Sequence, residues 1–318
     1  MGAGASYSKG LHDLGNGCFA WLQPDGSWGW SNAGLVTDGD QSLLVDTLFD
    51  LRLTREMLAA MRDATPAASG IDVLVNTHAN GDHCFGNELV QGATIVASKA
   101  CAEEMGELPP AALAAMLANA DALGEAGAFF REIFGAFEFD GITLTPPTET
   151  FEGRATRRVG GKEVHLIEVG PAHTRGDVLV HVPSERVVFT GDILFIEGHP
   201  ILWEGPIGNW IRACDEILAM GAESIVPGHG PVTDDAGVRA LRGYLVALEA
   251  EARKRYDAGL SVREAARDIS LADYASWGDA ERIAVNVSTL YREFGDPSPP
   301  PSPVDLFTWM AELRRDRR

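Results

Sequence analysis

Four short segments of the chain each place histidine or aspartate directly after a run of apolar residues. In chain order, the segments carry His78, Asp82 and His83; His173; Asp192; and His229. An ionisable side chain at the end of a buried strand needs a partner, because its charged form is costly to bury alone. Imidazole and carboxylate groups together are typical ligands of Zn²⁺ and Fe²⁺. The four segments therefore predict one metal site built from residues that are distant in the sequence.

The apolar runs before these segments predict the strands that deliver the ligands. They span 71–77, 163–169, 187–191 and 224–226, and each is short and bounded by turn residues, as buried strands are. Ligand sites in layered α/β structures form at the carboxyl ends of strands. The predicted site therefore requires that these four strand ends converge.

The other predicted elements are strands and helices in the first part of the chain and only helices in the last part. Strands are predicted at 17–23, 28–37, 42–47, 94–98, 141–145 and 178–182. Helices are predicted at 51–66, 207–221, 236–257 and 279–294, and a capping box predicts a further helix that starts at Ser261. This order indicates an α/β domain followed by a helical extension.

The same order divides the chain into four parts. Residues 1–14 are predicted to be a flexible N-terminus, and 15–235 to be the α/β domain with a helical insertion at about 100–137. Residues 236–295 are predicted to be a helical C-terminal extension. Residues 296–318 combine a Pro-rich linker with a terminal helix.

The composition disfavours several classes of protein. The chain has 318 residues, with 26 Lys and Arg against 46 Asp and Glu, which gives a net charge of −20. Nucleic-acid binding is disfavoured, because phosphate contacts need clustered cations. No uncharged apolar run approaches the ~18 residues of a membrane helix, and the first residues lack the features of a signal peptide. Four scattered cysteines argue against a disulfide framework, so a cytoplasmic protein is expected.

The motifs HANGDH, GPAHTRGD, FTGD and PGHG, in this order, resemble those of the metallo-β-lactamase fold superfamily. The run Ser31-Asn32-Ala33-Gly34 and the strand-end Asp46 resemble its opening strands. The resemblance covers about residues 15–235. It implies a four-layer αββα sandwich, with two sheets face to face, helices outside and a metal site at one edge.

The resemblance also implies a ligand set, and this chain departs from it at one position. The family motif is His-x-His-x-Asp-His, and Asn80 stands where the second histidine is expected. The first metal would then face His78, Asn80 and His173, the second would face Asp82, His83 and His229, and Asp192 would bridge both.

Three outcomes are open for the Asn80 position, because an amide oxygen is a weaker metal ligand than imidazole. The first metal binds weakly, which leaves one zinc ion at Asp82, His83 and His229. Alternatively, Asn80 ligates through its oxygen or holds a water, and two zinc ions bind. In the third case, His78, His173 and Asp192 hold iron or manganese.

The implied activity is that of a metal-dependent hydrolase acting on an ester, thioester, lactone or amide bond of a small molecule. A metal lowers the pKa of bound water to about 7 and so supplies hydroxide that attacks the carbonyl. Asp82 is expected to orient the water and accept its proton. A non-haem iron oxidoreductase on the same fold and a non-hydrolytic, cyclase-like member with an altered metal site are the alternatives. Assembly into a homo-oligomer is compatible with the sequence.

Two groups of residues outside the motifs have open roles. His199 and Trp203 follow Asp192 closely and are candidate substrate-binding residues. Helical spacing places four further polar residues on one face of the helix predicted at 279–294, namely Arg282, Asn286, Tyr291 and Arg292. A solvated face is the simplest interpretation of that pattern, with an approach to the site or a dimer contact as alternatives.

Overall fold

Two β-sheets lie face to face in the computed structural model of the chain, which describes residues 7–316. The first sheet contains seven strands in sequence order: β1 (Gly10–Gly15), β2 (Cys18–Leu22), β3 (Ala33–Asp38), β4 (Gln41–Val45), β5 (Val73–Val75), β6 (Thr94–Ser98) and β7 (Glu149–Phe151). Strands β1 to β4 pair antiparallel, whereas β4 to β7 pair parallel. The parallel strands point their carboxyl ends to one edge, where ligands are expected.

The second sheet contains five strands: β8 (Arg154–Val159), β9 (Lys162–Glu168), β10 (Val178–Val182), β11 (Val187–Phe189) and β12 (Ser224–Val226). Their spatial order is β12-β11-β10-β9-β8, and the pair β11–β12 is parallel. Val36 and Leu43 of the first sheet and Val164 and Val180 of the second belong to one buried cluster. Burial of this apolar surface between the sheets stabilises the sandwich.

Ten helices complete the described chain. They are α1 (Leu51–Ala64), α2 (Gly81–Cys84), α3 (Lys99–Glu104), α4 (Pro110–Ala118), α5 (Gly124–Phe134), α6 (Ile207–Met220), α7 (Asp235–Asp257), α8 (Val262–Asp268), α9 (Ile283–Phe294) and α10 (Pro303–Asp316). Leu44 and Leu179, on the outer faces of the two sheets, join helix residues in a second core. The strands are therefore apolar on both faces, and the predicted four-layer αββα sandwich with C-terminal helices is confirmed.

Local sequence signals explain where several helices begin. The Asp50 carboxylate accepts a hydrogen bond from Leu53 N and caps α1, which buries Met57. Ser261 and Glu264 form the predicted capping box at the start of α8. In the part of the chain that the structure describes, no helix combines the length and the apolar character needed to cross a bilayer.

The structure differs from two of the expectations about strands. Residues 141–145 form no strand, and β7 and β8 are edge strands instead. Many residues of these two strands are exposed and charged, so the sequence shows no apolar run that would predict them. Part of the expected flexible N-terminus, residues 10–15, is the edge strand β1, because its backbone pairs with β2 and Leu11 packs on the core. Residues 1–6 lie outside the described residues.

The helical extension packs directly on the sandwich. Met310 and Leu313 of α10 are buried against the same core as the first-sheet helices. The interpretation of a solvated face is wrong for Arg282, Asn286 and Tyr291, which are buried, and holds for exposed Arg292. Tertiary packing covers this face of the helix, and helical spacing in the sequence does not predict such packing.

Candidate metal centre

Six predicted ligand side chains meet where the strands of the two sheets end. His78 follows β5, Asp192 follows β11 and His229 follows β12, while Asp82 and His83 lie on the short helix α2. The sixth, His173, lies in the loop after β9. The short connections after the strands bring side chains that are 151 positions apart in the sequence (229 − 78) into one site.

Asp192 lies at the centre of the cluster. Its Oδ1 is 3.0 Å from His83 Nε2, and its Oδ2 lies 3.3, 3.4 and 3.8 Å from the Nε2 atoms of His173, His229 and His78. Asp82 Oδ2 lies 3.3 Å from His229 Nε2 and 3.9 Å from His83 Nε2. Two sets of ligand atoms each lie within 4.8 Å of one another, one from His78, His83 and Asp192 and one from Asp82, His83 and His229.

The close approach of Asp192 depends on the glycine before His229. A Cβ atom on Gly228 would lie 2.0 Å from Asp192 Oδ1, which is far inside van der Waals contact. Only glycine therefore fits at this position of the PGHG motif. The backbone of β12 and the Asp192 carboxylate can then meet at the same edge.

Each of the four site histidines donates its Nδ1 hydrogen to an acceptor outside the cluster. The acceptors are Thr77 Oγ1 for His78 at 3.0 Å, Asp46 Oδ2 for His83 at 2.9 Å, Ile201 O for His173 at 2.7 Å and Gly26 O for His229 at 3.0 Å. Asp46 also accepts hydrogen bonds from Thr77 N and Thr77 Oγ1. These bonds place a hydrogen on Nδ1 of each ring and turn every Nε2 atom toward the centre, as in carboxylate–histidine–metal arrangements.

Several of these inward-facing atoms have no hydrogen-bond partner. His78 Nε2, His83 Nε2 and Asp192 Oδ1 are buried and make no well-aligned hydrogen bond among the described residues, although the last two atoms lie 3.0 Å apart. A buried polar atom without a partner is costly, and three such atoms aimed at one point are rare in a core. A divalent cation would satisfy all three, so the residues present fit a metal.

The protonation of the cluster follows from burial and close charges. Burial alone would raise the pKa of Asp192, but His229, His83 and His78 hold it well below the usual range. Burial acts to lower the pKa of His229, but Asp192 and Asp82 outweigh it and raise that pKa to about 9. Burial holds the pKa of His78 well below its usual value. In the metal-free protein a proton therefore takes the place of a cation at His229.

Asn80 makes a specific contact within the cluster. Its side-chain Nδ2 donates a hydrogen bond to His173 Nε2 at 3.0 Å. The Nδ1 of that ring already donates to Ile201 O, so Nε2 carries the lone pair that a metal would use. The amide of Asn80 thus occupies the ligand atom of His173.

The two candidate substrate-binding residues lie in different surroundings. The His199 ring is fully buried between Tyr244 and Trp277 and has no surface to offer to a substrate in this state. Trp203 is half-buried at the end of the same loop, and its substrate contact stays a prediction.

The residues that orient the histidines were largely outside the reach of sequence reasoning. Asp46 carries the strongest signal, because it directly follows the buried strand β4 and resembles a family position. Gly26 and Ile201 act through backbone carbonyls, which every residue possesses, so no side-chain pattern reveals them. Arg282 and Asn286 lie more than 50 positions beyond the last ligand.

Comparison with known proteins agrees with this geometry. An acyl-coenzyme A thioesterase of Homo sapiens is 24% identical over 230 residues, which cover 68% of this chain and 79% of that protein. The stereoselective inverting sec-alkylsulfatase of a Pseudomonas species has the same fold, with a TM-score of 0.67 and 17% identity. That alignment covers 92% of this chain and 52% of the sulfatase chain, so this chain spans about half its length. A metallo-beta-lactamase of Pseudomonas aeruginosa in a mono-zinc form gives a TM-score of 0.54 at 21% identity, over 74% of this chain and 93% of that chain.

The family relationship rests on the sandwich that carries the ligands. The family model of the metallo-beta-lactamase superfamily matches residues 26–229, which is well over half of the chain. This range includes all six ligand side chains and ends at His229. The chain is therefore a metallo-hydrolase of the metallo-beta-lactamase superfamily.

Proposed function

We propose that the protein hydrolyses a thioester or a related acyl bond of a small molecule with one zinc ion. The observation that carries the proposal is the convergence of four histidine Nε2 atoms and two carboxylates, with unsatisfied atoms at its centre. The acyl substrate is supported by the thioesterase relative, which aligns over two thirds of this chain. The acidic chain, with a net charge of −20, favours a small-molecule partner over a nucleic acid.

The proposed zinc position is formed by Asp82, His83 and His229. Two imidazoles and one carboxylate are a donor set that would hold zinc and leave room for a water ligand, as in catalytic zinc sites. The other half of the cluster is less suited to a metal, because Asn80 holds the lone pair of His173. The same contact disfavours the iron alternative, which needs that ring as a ligand.

Proton transfer in the proposed reaction is assigned to a carboxylate of the protein. When bound, zinc would acidify water and polarise the acyl carbonyl. The Asp82 side chain is 12% exposed, against 3% for Asp192, so solvent reaches Asp82 more readily. Asp82 takes the proton of the attacking water as the bond to the acyl carbon forms, and returns it to the leaving thiolate as the carbon–sulfur bond breaks. Ser31 fixes the backbone of this residue, because its hydroxyl donates to Asp82 O at 2.5 Å.

The test combines metal analysis with a substrate panel. Protein purified without chelator is expected to contain one zinc ion per chain and to hydrolyse acyl-coenzyme A or aryl thioesters faster than matched lactones and amides. Asp82→Asn is expected to lower kcat by about 10²–10⁴-fold. Tyr291→Phe, which removes a buried hydroxyl on α9, is the control and is expected to leave kcat unchanged.

Two outcomes would overturn the proposal. Substrate-dependent O₂ consumption by the iron-loaded protein, without hydrolysis of the panel, would establish the oxidoreductase alternative. A folded chain that retains no metal would point to a non-hydrolytic member with an altered site.

A further inference from the structure

The metal ligand His229 is supported on two sides by residues of the sandwich. Its Nδ1 donates to Gly26 O at 3.0 Å, and its ring stacks on Phe195 with the centroids 5.1 Å apart and the planes 1° from parallel. The bond fixes the tautomer, and the stack fixes the plane of the ring. The direction of the Nε2 lone pair therefore depends on where the Gly26 loop and Phe195 are held.

Arg282 of the helical extension contacts both of these supports. Its guanidinium lies 4.4 Å from the ring centroid of Trp28, in the loop of Gly26, and 5.2 Å from that of Phe195. The side chain is 2% exposed and donates to His199 O at 2.9 Å. A buried arginine is costly unless it is paired, and Asp279 Oδ2 pairs with it at 3.1 Å.

Two neighbours of Arg282 fasten the Gly26 loop independently. Ser27 Oγ donates to Asp279 Oδ1 at 2.7 Å, and Trp28 Nε1 donates to Glu281 Oε1 at 3.0 Å. The partners are more than 250 positions apart in the sequence, so these bonds connect the loop after β2 to the C-terminal extension. The loop that contains Gly26, whose carbonyl accepts the hydrogen bond from His229, is thus anchored to residues 279–282.

Helix α9 fastens the second support in the same way. Asn286 Oδ1 accepts from Leu202 N at 2.7 Å, and Asn286 Nδ2 donates to Pro200 O at 2.9 Å. One turn further on, Thr289 Oγ1 donates to Leu202 O at 2.8 Å. The segment that follows Phe195 is therefore hydrogen-bonded along one face of the extension.

We propose that five residues of the extension form a positioning layer of the metal centre, namely Asp279, Glu281, Arg282, Asn286 and Thr289, and that Arg282 sets the orientation of His229. These residues lie beyond the range 26–229 that the family model matches, so the family match assigns them no role. The inference rests on the proposed function only in requiring that a metal binds at His229. Arg282 is a positioning residue, because it reaches the metal ligand through Phe195 and the Gly26 loop.

Metal affinity of the full chain tests this proposal without any substrate. Zinc affinity is measured by competition with a chromophoric chelator, and the ligand geometry by the visible absorption of the Co²⁺-loaded protein. Arg282→Lys keeps the charge but loses the planar stack and the fork of donors, and is expected to weaken zinc binding about tenfold and to shift the Co²⁺ spectrum. Ser27→Ala removes a single hydrogen bond from a half-exposed residue and is expected to weaken binding about threefold.

Two variants of the same helix are the controls. Tyr291→Phe removes a hydroxyl that has no hydrogen-bond partner among the described residues, and Val287→Ala lowers stability by opening a cavity. Both are expected to keep the zinc affinity and the Co²⁺ spectrum of the wild type.

The possible results separate this inference from the proposed function. Folded Arg282→Lys and Ser27→Ala proteins with wild-type zinc affinity and spectra would overturn the positioning role. An equal loss of affinity in Val287→Ala would also overturn it, because general destabilisation would then explain the effect. A wild-type protein that binds zinc but cleaves no acyl substrate would overturn the proposed function alone, whereas a wild type that binds no metal would overturn both.

Discussion

At the scale of single residues, we expect Asn80 to govern how many metal ions the cluster can hold. Its amide donates to His173 Nε2 at 3.0 Å, so one of the two proposed halves loses a candidate ligand atom. In the other half, the candidate ligand atoms of Asp82, His83 and His229 lie within 4.8 Å of one another. The side chain at position 80 is therefore expected to set the stoichiometry.

The first prediction follows from this contact. Asn80→His supplies an imidazole and frees the lone pair of His173, so the zinc content is expected to rise from one toward two ions per chain, as measured by elemental analysis. Asn80→Ala is the control, because it breaks the same bond without adding a ligand, and it is expected to stay near one. A histidine variant that still holds one zinc ion would show that another residue limits the second metal.

The second prediction concerns pH. The negative charges of Asp192 and Asp82 outweigh the effect of burial and raise the pKa of His229 to about 9 in the metal-free protein. Burial acts to lower the pKa of His83 as well, but Asp192, Asp82 and Asp46 outweigh it and hold that pKa well above its usual value. Zinc must therefore displace protons from both rings, and apparent zinc affinity is expected to rise by about tenfold or more per pH unit between pH 6 and 9. Competition titrations at several pH values measure the slope. A zinc affinity that is flat across this range would show that both rings are already neutral.

At the scale of elements, the two sheets approach closely because glycine lies at their interface. Gly34 of β3 faces Phe189 of β11, and a Cβ on this glycine would lie 2.2 Å from the phenylalanine ring. Strand β11, which precedes Asp192, is therefore packed directly on the first sheet. Any displacement of β11 would move the central carboxylate of the site.

The third prediction measures this packing. Gly34→Ala forces the Phe189 ring or the sheet to shift and is expected to lower the free energy of unfolding by about 1–3 kcal/mol, measured by denaturant titration. Gly70→Ala is the matched control, because a Cβ there meets no atom within 4 Å, and it is expected to change stability by less than about 0.5 kcal/mol. Equal stability of the two variants would mean that the interface accommodates the methyl group.

At the scale of the whole molecule, the metal centre joins the first loop, both sheets and the extension. Asp46 and Thr77 follow strands of the first sheet, and Asp192 and His229 follow strands of the second. Glu281 of the extension accepts a hydrogen bond from Trp28 in the first loop. The unpaired inward-facing atoms make this shared region costly without a cation. A bound metal is therefore expected to stabilise the entire fold rather than one loop.

The fourth prediction is the effect of metal removal. Zinc that binds only the folded chain adds about 2.7 kcal/mol to the free energy of unfolding at a free concentration of 100 times Kd. The Tm is expected to fall on treatment with a chelator and to recover on addition of zinc, as followed by calorimetry. Magnesium is the control, since nitrogen-rich sites bind it weakly. An unchanged Tm in the zinc-loaded protein would contradict the structural role of the site.

Much of the sandwich could be predicted from local patterns. Short apolar runs bounded by turn residues marked β5, β9, β11 and β12, and capping residues marked the start of α8, because burial and backbone satisfaction act over a few neighbouring residues. Edge strands were harder to recognise. The strand β8 alternates exposed and half-buried polar residues and is held by its backbone ladder with β9, so its side chains carry little apolar signal.

The sequence by itself determined the candidate ligands of the site: six histidine and aspartate residues in the segments that follow buried strands, and the one departure at Asn80. Residue type and position relative to a buried run are local properties, so they can be read along the chain. Only the tertiary structure showed that Asn80 binds His173, that backbone carbonyls orient His173 and His229, and that Arg282 is buried behind the metal ligands. These contacts join residues that are distant in the chain through atoms or faces that have no periodic signal. They arise only when the two sheets and the extension pack together.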